Sequence, residues 1–219
     1  MENEIKIAFP SEQSLYLSVE QPWFKQVVEV VHDKTEHYEN RYLDTPARDL
    51  RQTMTSIRVR HVLGQKYIHT VKTGGNQIRN GLSTKYEWNW VTDERDFQVE
   101  RFLHQMRNSD QTDPVEILSD VLLPYKNVAF IDLCQTVFKR RTIQVKYKLS
   151  EVEICLDVGN CYGLERSEPI LEMELELLQG QVEDIEELGQ LVMEHTGTSY
   201  QKISKLGRCM RLIEEVDHG

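Results

Sequence analysis

Apolar and polar residues alternate with a period of two over much of this chain, which predicts a protein built mostly of β-strands. The first stretch sets the pattern. Asn3, Ile5, Ile7 and Phe9 fall on one face, and Glu2, Glu4 and Lys6 on the other. The alternation returns at Ile57–Val62, with Ile57 and Val59 opposite Arg58 and Arg60, and at Lys66–Thr73, with Thr70 and Lys72 on one face. Leu82–Val91 sets Tyr86, Trp88 and Trp90 against Lys85, Glu87 and Asn89. Glu151–Val158 and Ile170–Leu178 alternate as well, the latter with Glu172, Glu174 and Glu176 on a single face. Tyr38–Leu43 reads as a strand closed by the turn signal Asp44-Thr45-Pro46. Val128–Tyr147 is rich in β-formers and predicts two strands or one bent strand.

Helical spacing is confined to a few places. Ser11 is placed to cap a helix carrying Leu15, Val19 and Trp23. Phe97–Met106, Gln181–His195 and Ile203–Ile213 carry apolar stripes. Gly64-Gln65 reads as a hairpin break, Gly74-Gly75 through Asn80-Gly81 as a loop, and Ser109–Pro114 as another loop. About eight alternating strands with few helices predict one antiparallel sheet, closed or nearly so. No repeat or linker divides the chain, so residues 1–219 are expected to form a single domain.

Charge changes the picture next. With 26 basic and 36 acidic residues the formal net charge is −10. That argues against nucleic acid as a partner, because backbone binding needs a basic surface. No apolar run reaches the roughly 18 residues of a membrane span. The start of the chain lacks the charged and apolar regions of a signal peptide. Cys134, Cys155, Cys161 and Cys209 have no metal-binding spacing. A reducing cytoplasm with free thiols is the expected setting.

The polar faces carry the chemistry. If helices cover the apolar faces from outside, the charges line a cavity, and a cavity holding both signs must be neutralised from within. Carboxylates two residues apart on a strand lie about 6.6 Å apart along it. Two such pairs facing each other can share a hard divalent cation through oxygen ligands. Arginine forks and lysine point charges suit the oxygens of a polyanion. The combination points to a metal ion together with an oligophosphate. No Walker-type glycine-lysine loop is present, so a helix terminus is not the phosphate holder.

Glu2-Asn3-Glu4-Ile5-Lys6 matches the ExExK signature of the CYTH superfamily, the triphosphate tunnel metalloenzymes. Tyr42–Pro46, Ile57–Arg60, Thr70–Lys72, Gly81–Glu87, Phe138–Arg140, Glu153–Asp157, Glu172–Glu176 and Ser204–Arg208 resemble its later blocks in order. The closest resemblance is to the CYTH domain of bacterial inorganic triphosphatases. It implies an α+β fold, an eight-stranded antiparallel β-barrel forming a triphosphate tunnel, with helices packed outside. It also implies roles. Glu2 and Glu4, with Glu174 and either Glu172 or Glu176, would hold Mg²⁺ or Mn²⁺. Lys6, Arg58, Arg60, Lys72, Lys85, Arg140 and Lys205 would hold phosphate oxygens. Glu87 and Asp157 would support them. Glu2, Glu4, Lys6 and Lys205 are the expected catalytic set.

The resemblance implies metal-dependent hydrolysis of inorganic triphosphate to pyrophosphate and phosphate. The alternatives are a thiamine or nucleoside triphosphatase, a class IV-like adenylyl cyclase, and a polyphosphate-binding module without turnover. The expected partner is a small molecule carrying a triphosphate, with no nucleic acid and no membrane; a homodimer is left open. The chain departs from its relatives at Thr142, where they often have Lys or Arg, and Arg141 has the opposite strand parity. Arg208 and Arg211 read as surface charges of the last helix. Tyr86, Trp88 and Trp90 read as outer-face packing, and His61 and His69 as structural or exposed.

Overall fold

A computed structural model describes residues 1–62, 64, 66–77, 81–110 and 112–214, with backbone only at 75–77. Gln65 of the expected hairpin break and Asn80 of the expected loop lie outside these residues. The strands are β1 (Glu2–Ala8), β2 (Glu29–Asp44), β3 (Ser56–Val62), β4 (Tyr67–Gln77), β5 (Leu82–Thr92), β6 (Ile131–Tyr147), β7 (Ser150–Gly163), β8 (Arg166–Gln179) and the short β9 (Ser199–Tyr200). The helices are α1 (Glu12–Glu20), α2 (Pro22–Val27), α3 (Asp49–Gln52), α4 (Val99–Arg107), α5 (Val115–Leu122), α6 (Val182–Thr196) and α7 (Lys205–Glu214).

The strands pair antiparallel in the order β5-β4-β3-β2-β6-β7-β8-β1, and β1 returns to β5. Closure removes the open edges, so eight strands make a barrel. β1 is the seam. Its first half pairs with β5, Glu2 opposite Lys85, and its second half adds β9, Ile7 opposite Tyr200. Along its length it also pairs with β8, which puts Glu4 opposite Glu176 and Lys6 opposite Glu174.

The outward faces are buried under helices in two clusters. Ile5, Ile7, Ile154 and Leu175 pack with Leu15, Phe24, Ile185 and Leu188 of α1, α2 and α6. Ile57, Val59, Val71 and Trp88 pack with Phe102, Leu103, Met106, Leu118 and Leu122 of α4 and α5. Tyr86 and Trp90 lie partly buried against that second cluster, on the outer face as expected. His69 is fully buried there, with Nε2 2.9 Å from the Glu94 carbonyl.

Several elements differ from the sequence expectation. Ser11 does cap α1, accepting from the Ser14 amide, but the helix ends at Glu20 because Pro22 starts α2; Trp23 belongs to α2. β2 begins at Glu29, well before Tyr38. Its exposed first half has no apolar face to betray it, and ladder bonds to β6 hold it, Glu29 opposite Lys146 through His37 opposite Lys139. Residues 131–147 form one strand. β4 runs through Gly74 and Gly75 to Gln77, with a register shift between Thr73 and Asn76.

The last helix has its own place. Cys209, Met210, Leu212 and Ile213 of α7 pack on Tyr38, Tyr42, Phe138, Cys161 and Ile170. Those strand residues share the inward face with Asn40, Thr136 and Arg60, so α7 closes one end of the barrel from within.

Candidate active site

Strand alternation sends every second residue into the lumen, and register stacks those residues into rows. One row runs Arg60–Asn40–Thr136–Cys161 across β3, β2, β6 and β7. Past the row of Phe138, Gly159 and Ile170, the next polar row holds Arg140, Asp157 and Glu172 on β6, β7 and β8. Another pairs Thr142 with Cys155 and Glu174, and Glu174 with Lys6. A fourth pairs Glu153 with Glu176, and Glu176 with Glu4. On the opposite wall Lys72 faces Glu87, and Lys85 faces Glu2. The barrel therefore brings together all the residues expected from the sequence: Glu2, Glu4, Lys6, Arg58, Arg60, Lys72, Lys85, Glu87, Arg140, Asp157, Glu172, Glu174, Glu176 and Lys205.

Two ion-pair networks divide the lumen. Near β1 and β4, Lys72 Nζ lies 2.7 Å from both carboxylate oxygens of Glu2 and 2.6 Å from Glu87. Arg58 reaches Glu87 only at 3.9 Å and donates to Thr70 Oγ1 at 3.1 Å. Next to α7, Lys205 Nζ sits 2.6 Å from Asp157 and 2.8 Å from Glu174, and also contacts Glu172. Arg140 grips Asp157 through two bonds of 2.7 and 2.6 Å and touches Glu174. Lys6 pairs with Glu4 and with Glu174, the latter at 3.1 Å.

The networks leave particular groups uncompensated. Burial drives the Glu176 carboxyl up to about 8, reinforced by the charges of Glu2 and Glu87. Burial also raises Glu2, with Glu4 and Glu87 adding repulsion that Lys72 only partly offsets. Glu87 moves the other way: against the cost of burial, Lys72 and Arg58 hold it below its usual range. The same balance holds Glu174 and Asp157 low, through Lys205 and Lys6 for the first and Arg140 and Lys205 for the second. Burial lowers Lys85, with Lys72 and Lys6 adding to it. Among the described residues neither Lys85 nor Arg60 pairs with a carboxylate. A tunnel that holds both spare cations and crowded carboxylates can take a polyanion and a metal ion together.

Residues 1–210 match the CYTH domain family. The chain belongs to that family. This CYTH domain is 26% identical over 184 residues to the inorganic triphosphatase of Haemophilus influenzae, an alignment covering 84% of this chain and 47% of the relative. The chain thus spans about half the length of that relative. Among solved structures it resembles a Hippeastrum protein first taken for an adenylyl cyclase and described as having a dominant triphosphatase activity, with a TM-score of 0.66, 18% identity and 97% of each chain covered. It also resembles a Pyrococcus horikoshii protein, with a TM-score of 0.57 and 18% identity, covering 96% of this chain and 99% of the other. These structural likenesses share the closed barrel.

Two places in this CYTH domain could hold a cation. Ligand atoms of Asp157, Glu172 and Glu174 lie within 4.8 Å of one another. Their charge is already answered by Lys205, Arg140 and Arg208, so an ammonium occupies the position a metal would take. Glu2, Glu4 and Glu176 are the better fit: Glu4 faces Glu176 across the ladder, burial raises Glu2 and Glu176, and a divalent ion would relieve the crowding.

Arg208 corrects the sequence reading. It is 3% exposed, its guanidinium contacts Glu172, and Nη1 donates 3.3 Å to the Pro169 carbonyl. Helical periodicity hid this, since a lumen-facing helix side looks polar like a solvated one. Arg211 does pair at the surface, with Glu168. Arg141 points outward to Asp33 and Glu20 and does not replace a base at Thr142, which is buried beside Cys155.

Proposed function

We propose that this chain is a metal-dependent triphosphatase that hydrolyses inorganic triphosphate to pyrophosphate and phosphate within a single domain. The observation that carries the reading is one closed lumen that holds both cations without a carboxylate partner among the described residues, Arg60 and Lys85, and crowded carboxylates, Glu2, Glu4 and Glu176. The named relative supports the same activity.

Glu2, Glu4 and Glu176 would hold Mg²⁺ or Mn²⁺, which when bound supplies Lewis-acid neutralisation of phosphate oxygens. The chain's own side chains do the rest. Arg58, Arg60 and Lys85 bind the anion and orient it. Lys6, Lys72 and Arg140 add charge where their carboxylate partners loosen toward the metal and the substrate. Lys205, held by α7, fixes the end of the bound phosphate chain nearest the plug. Hydrolysis breaks one P–O–P bridge as water adds to the phosphorus, a reaction that needs positioning and charge stabilisation more than covalent chemistry. The four cysteines are free thiols, which supports a cytoplasmic setting. Among the described residues no helix is long and apolar enough to cross a membrane.

The test is a substrate panel of inorganic triphosphate, thiamine triphosphate and ATP, each with Mg²⁺, Mn²⁺ or a chelator, followed for free phosphate and cyclic AMP. Phosphate from inorganic triphosphate in the metal arms alone is expected. Cyclic AMP as product, or tight triphosphate binding with no phosphate released, would replace the reading.

A further inference from the structure

Three cations are buried in the described barrel: Lys205, Arg208 and Arg60. Lys205 and Arg208 both lie on Glu172. Arg60 touches no carboxylate among the described residues. Its Nε donates 2.9 Å to Asn40 Oδ1, and its Cζ stands 4.2 Å from the centroid of the Tyr38 ring. Asn40 is itself fully buried, and its Nδ2 donates 3.0 Å to the Thr136 hydroxyl. Ladder register makes the three a straight line, Arg60 opposite Asn40 on one side of β2 and Asn40 opposite Thr136 on the other.

The line fixes the amide's orientation. A guanidinium Nε can only donate, so it must meet the Asn40 oxygen, which turns the amino group to Thr136. Among the described residues only Nε is used, and both Nη groups keep the fork that suits two phosphate oxygens. Among the described residues the contacts holding Arg60 are neutral, an amide oxygen and an aromatic face. Arg140 is held just as firmly, but by Asp157 and Glu174, which cancel its charge. An aspartate is nearly the same size as an asparagine and would hold Nε equally well, at the expense of the charge.

We infer that Asn40 is a positioning residue, a neutral holder that orients Arg60 toward a phosphate group of the substrate while leaving its positive charge unspent. This rests on the triphosphatase reading of the same lumen. It assigns the row Arg60–Asn40–Thr136, close to the α7 plug, to the anion and not to the metal.

The device predicts opposite movements of stability and affinity. Without ligand, Arg60 lies among Arg58 and Arg140, and burial with those charges pushes it down to about 9. Asn40→Asp supplies the missing carboxylate. It is expected to hold or raise the melting temperature and to weaken binding of inorganic triphosphate at least tenfold by calorimetry. A residue that merely packed would lower both or neither.

A melting cycle without ligand uses the wild type, Asn40→Asp, Arg60→Leu and the double variant. Asn40→Asp should be neutral or stabilising beside Arg60 and destabilising once Arg60 is Leu, because the new carboxylate is then buried alone. Equal effects in both backgrounds would overturn the inference, as would wild-type triphosphate affinity in Asn40→Asp. If the wild type itself bound no triphosphate, the triphosphatase reading would fall, and the melting cycle alone would decide whether Asn40 and Arg60 are coupled.

Discussion

Glu4 and Glu176 sit directly opposite each other where β1 pairs with β8 at the barrel seam. Like charges facing across a ladder are destabilising, and here the lumen adds desolvation. Lys6 answers the charge of Glu4, so the strain falls on Glu176, which is stable there only with a proton or beside a bound cation. The pair's sequence origin is plain: the ExE spacing of β1 and the alternating glutamates of β8 place carboxylates on the same face of neighbouring strands.

The raised carboxyls set a pH dependence. Glu176 is held at about 8 and Glu2 and Glu172 are also raised, all above the unfolded value near 4.3. Their contribution is fully present below that unfolded value and is lost as pH rises through the folded one. The depressed groups Glu87, Glu174 and Asp157 act in the other direction, and their contribution fades only in acid. Metal-free protein should therefore lose about 2–4 kcal/mol of stability between pH 5 and 8.5. Mn²⁺ should raise the melting temperature more at pH 8 than at pH 6. Flat stability across that interval, read by scanning calorimetry, would contradict the account of raised carboxyls.

Removing one of the crowded acids should cost function without cost to the fold. Glu4→Gln relieves repulsion opposite Glu176 but takes from Lys6 one of its two carboxylate partners, leaving Glu174, so melting in metal-free buffer should stay about level. The stabilisation by Mn²⁺ and the phosphate release should both fall sharply. Full metal-dependent turnover in this variant would show that Glu4 does not hold the ion.

The barrel and its charged lining were legible because alternation marks a half-buried strand and because both faces carried consistent chemistry. Glu172, Glu174 and Glu176 could be placed on one face from spacing alone. Their partition could not, because it depends on what enters from elsewhere: Lys205 of α7 occupies the first two, and Glu4 of β1 meets the third. Arg208 was unreadable for the same reason. The first half of β2 escaped notice because its residues are exposed, so nothing but ladder hydrogen bonds makes it a strand. Asn40 gave no signal beyond lying on a strand; its role appears only when Arg60 and Thr136 are brought to either side of it.

Lys205→Ala should be a stability variant with a pH signature. It leaves Asp157, Glu172 and Glu174 buried around a missing ammonium. Breaking a buried pair by deleting one partner costs about 3–5 kcal/mol. Protonation of a carboxyl would relieve part of that cost, so the variant should be closest to the wild type near pH 5 and furthest below it near pH 8. A pH-independent loss in melting temperature would point to packing of the lysine stem instead.

Gly159 tests the barrel's cross-section. A Cβ there would meet the Val137 carbonyl oxygen at 2.1 Å and Phe138 Cα and Cβ at 2.5 Å. The contacts are largely backbone and cannot swing away. Gly159→Ala should destabilise by about 2 kcal/mol or more, in the range of overpacked cores. The effect should appear as a shifted denaturation midpoint. A midpoint equal to the wild type's would mean that β6 and β7 separate there at little cost.

Arg60 and Arg140 should separate affinity from stability. Both are lumen guanidiniums within 6 Å of the Phe138 ring, at 5.8 and 5.6 Å, yet their partners differ in charge. Arg140 is matched by Asp157 and Glu174 before any substrate arrives. Arg140→Ala strands those carboxylates and should lower stability strongly. Arg60→Ala removes a cation that has no carboxylate to strand among the described residues, so the fold should tolerate it better. The loss should fall on the ligand instead, where a charge-assisted contact is worth about 1.5–3 kcal/mol, or roughly ten- to a hundredfold in triphosphate affinity. Calorimetry and thermal melts on the two variants give four numbers, and a greater stability loss in Arg60→Ala than in Arg140→Ala would reverse the assignment.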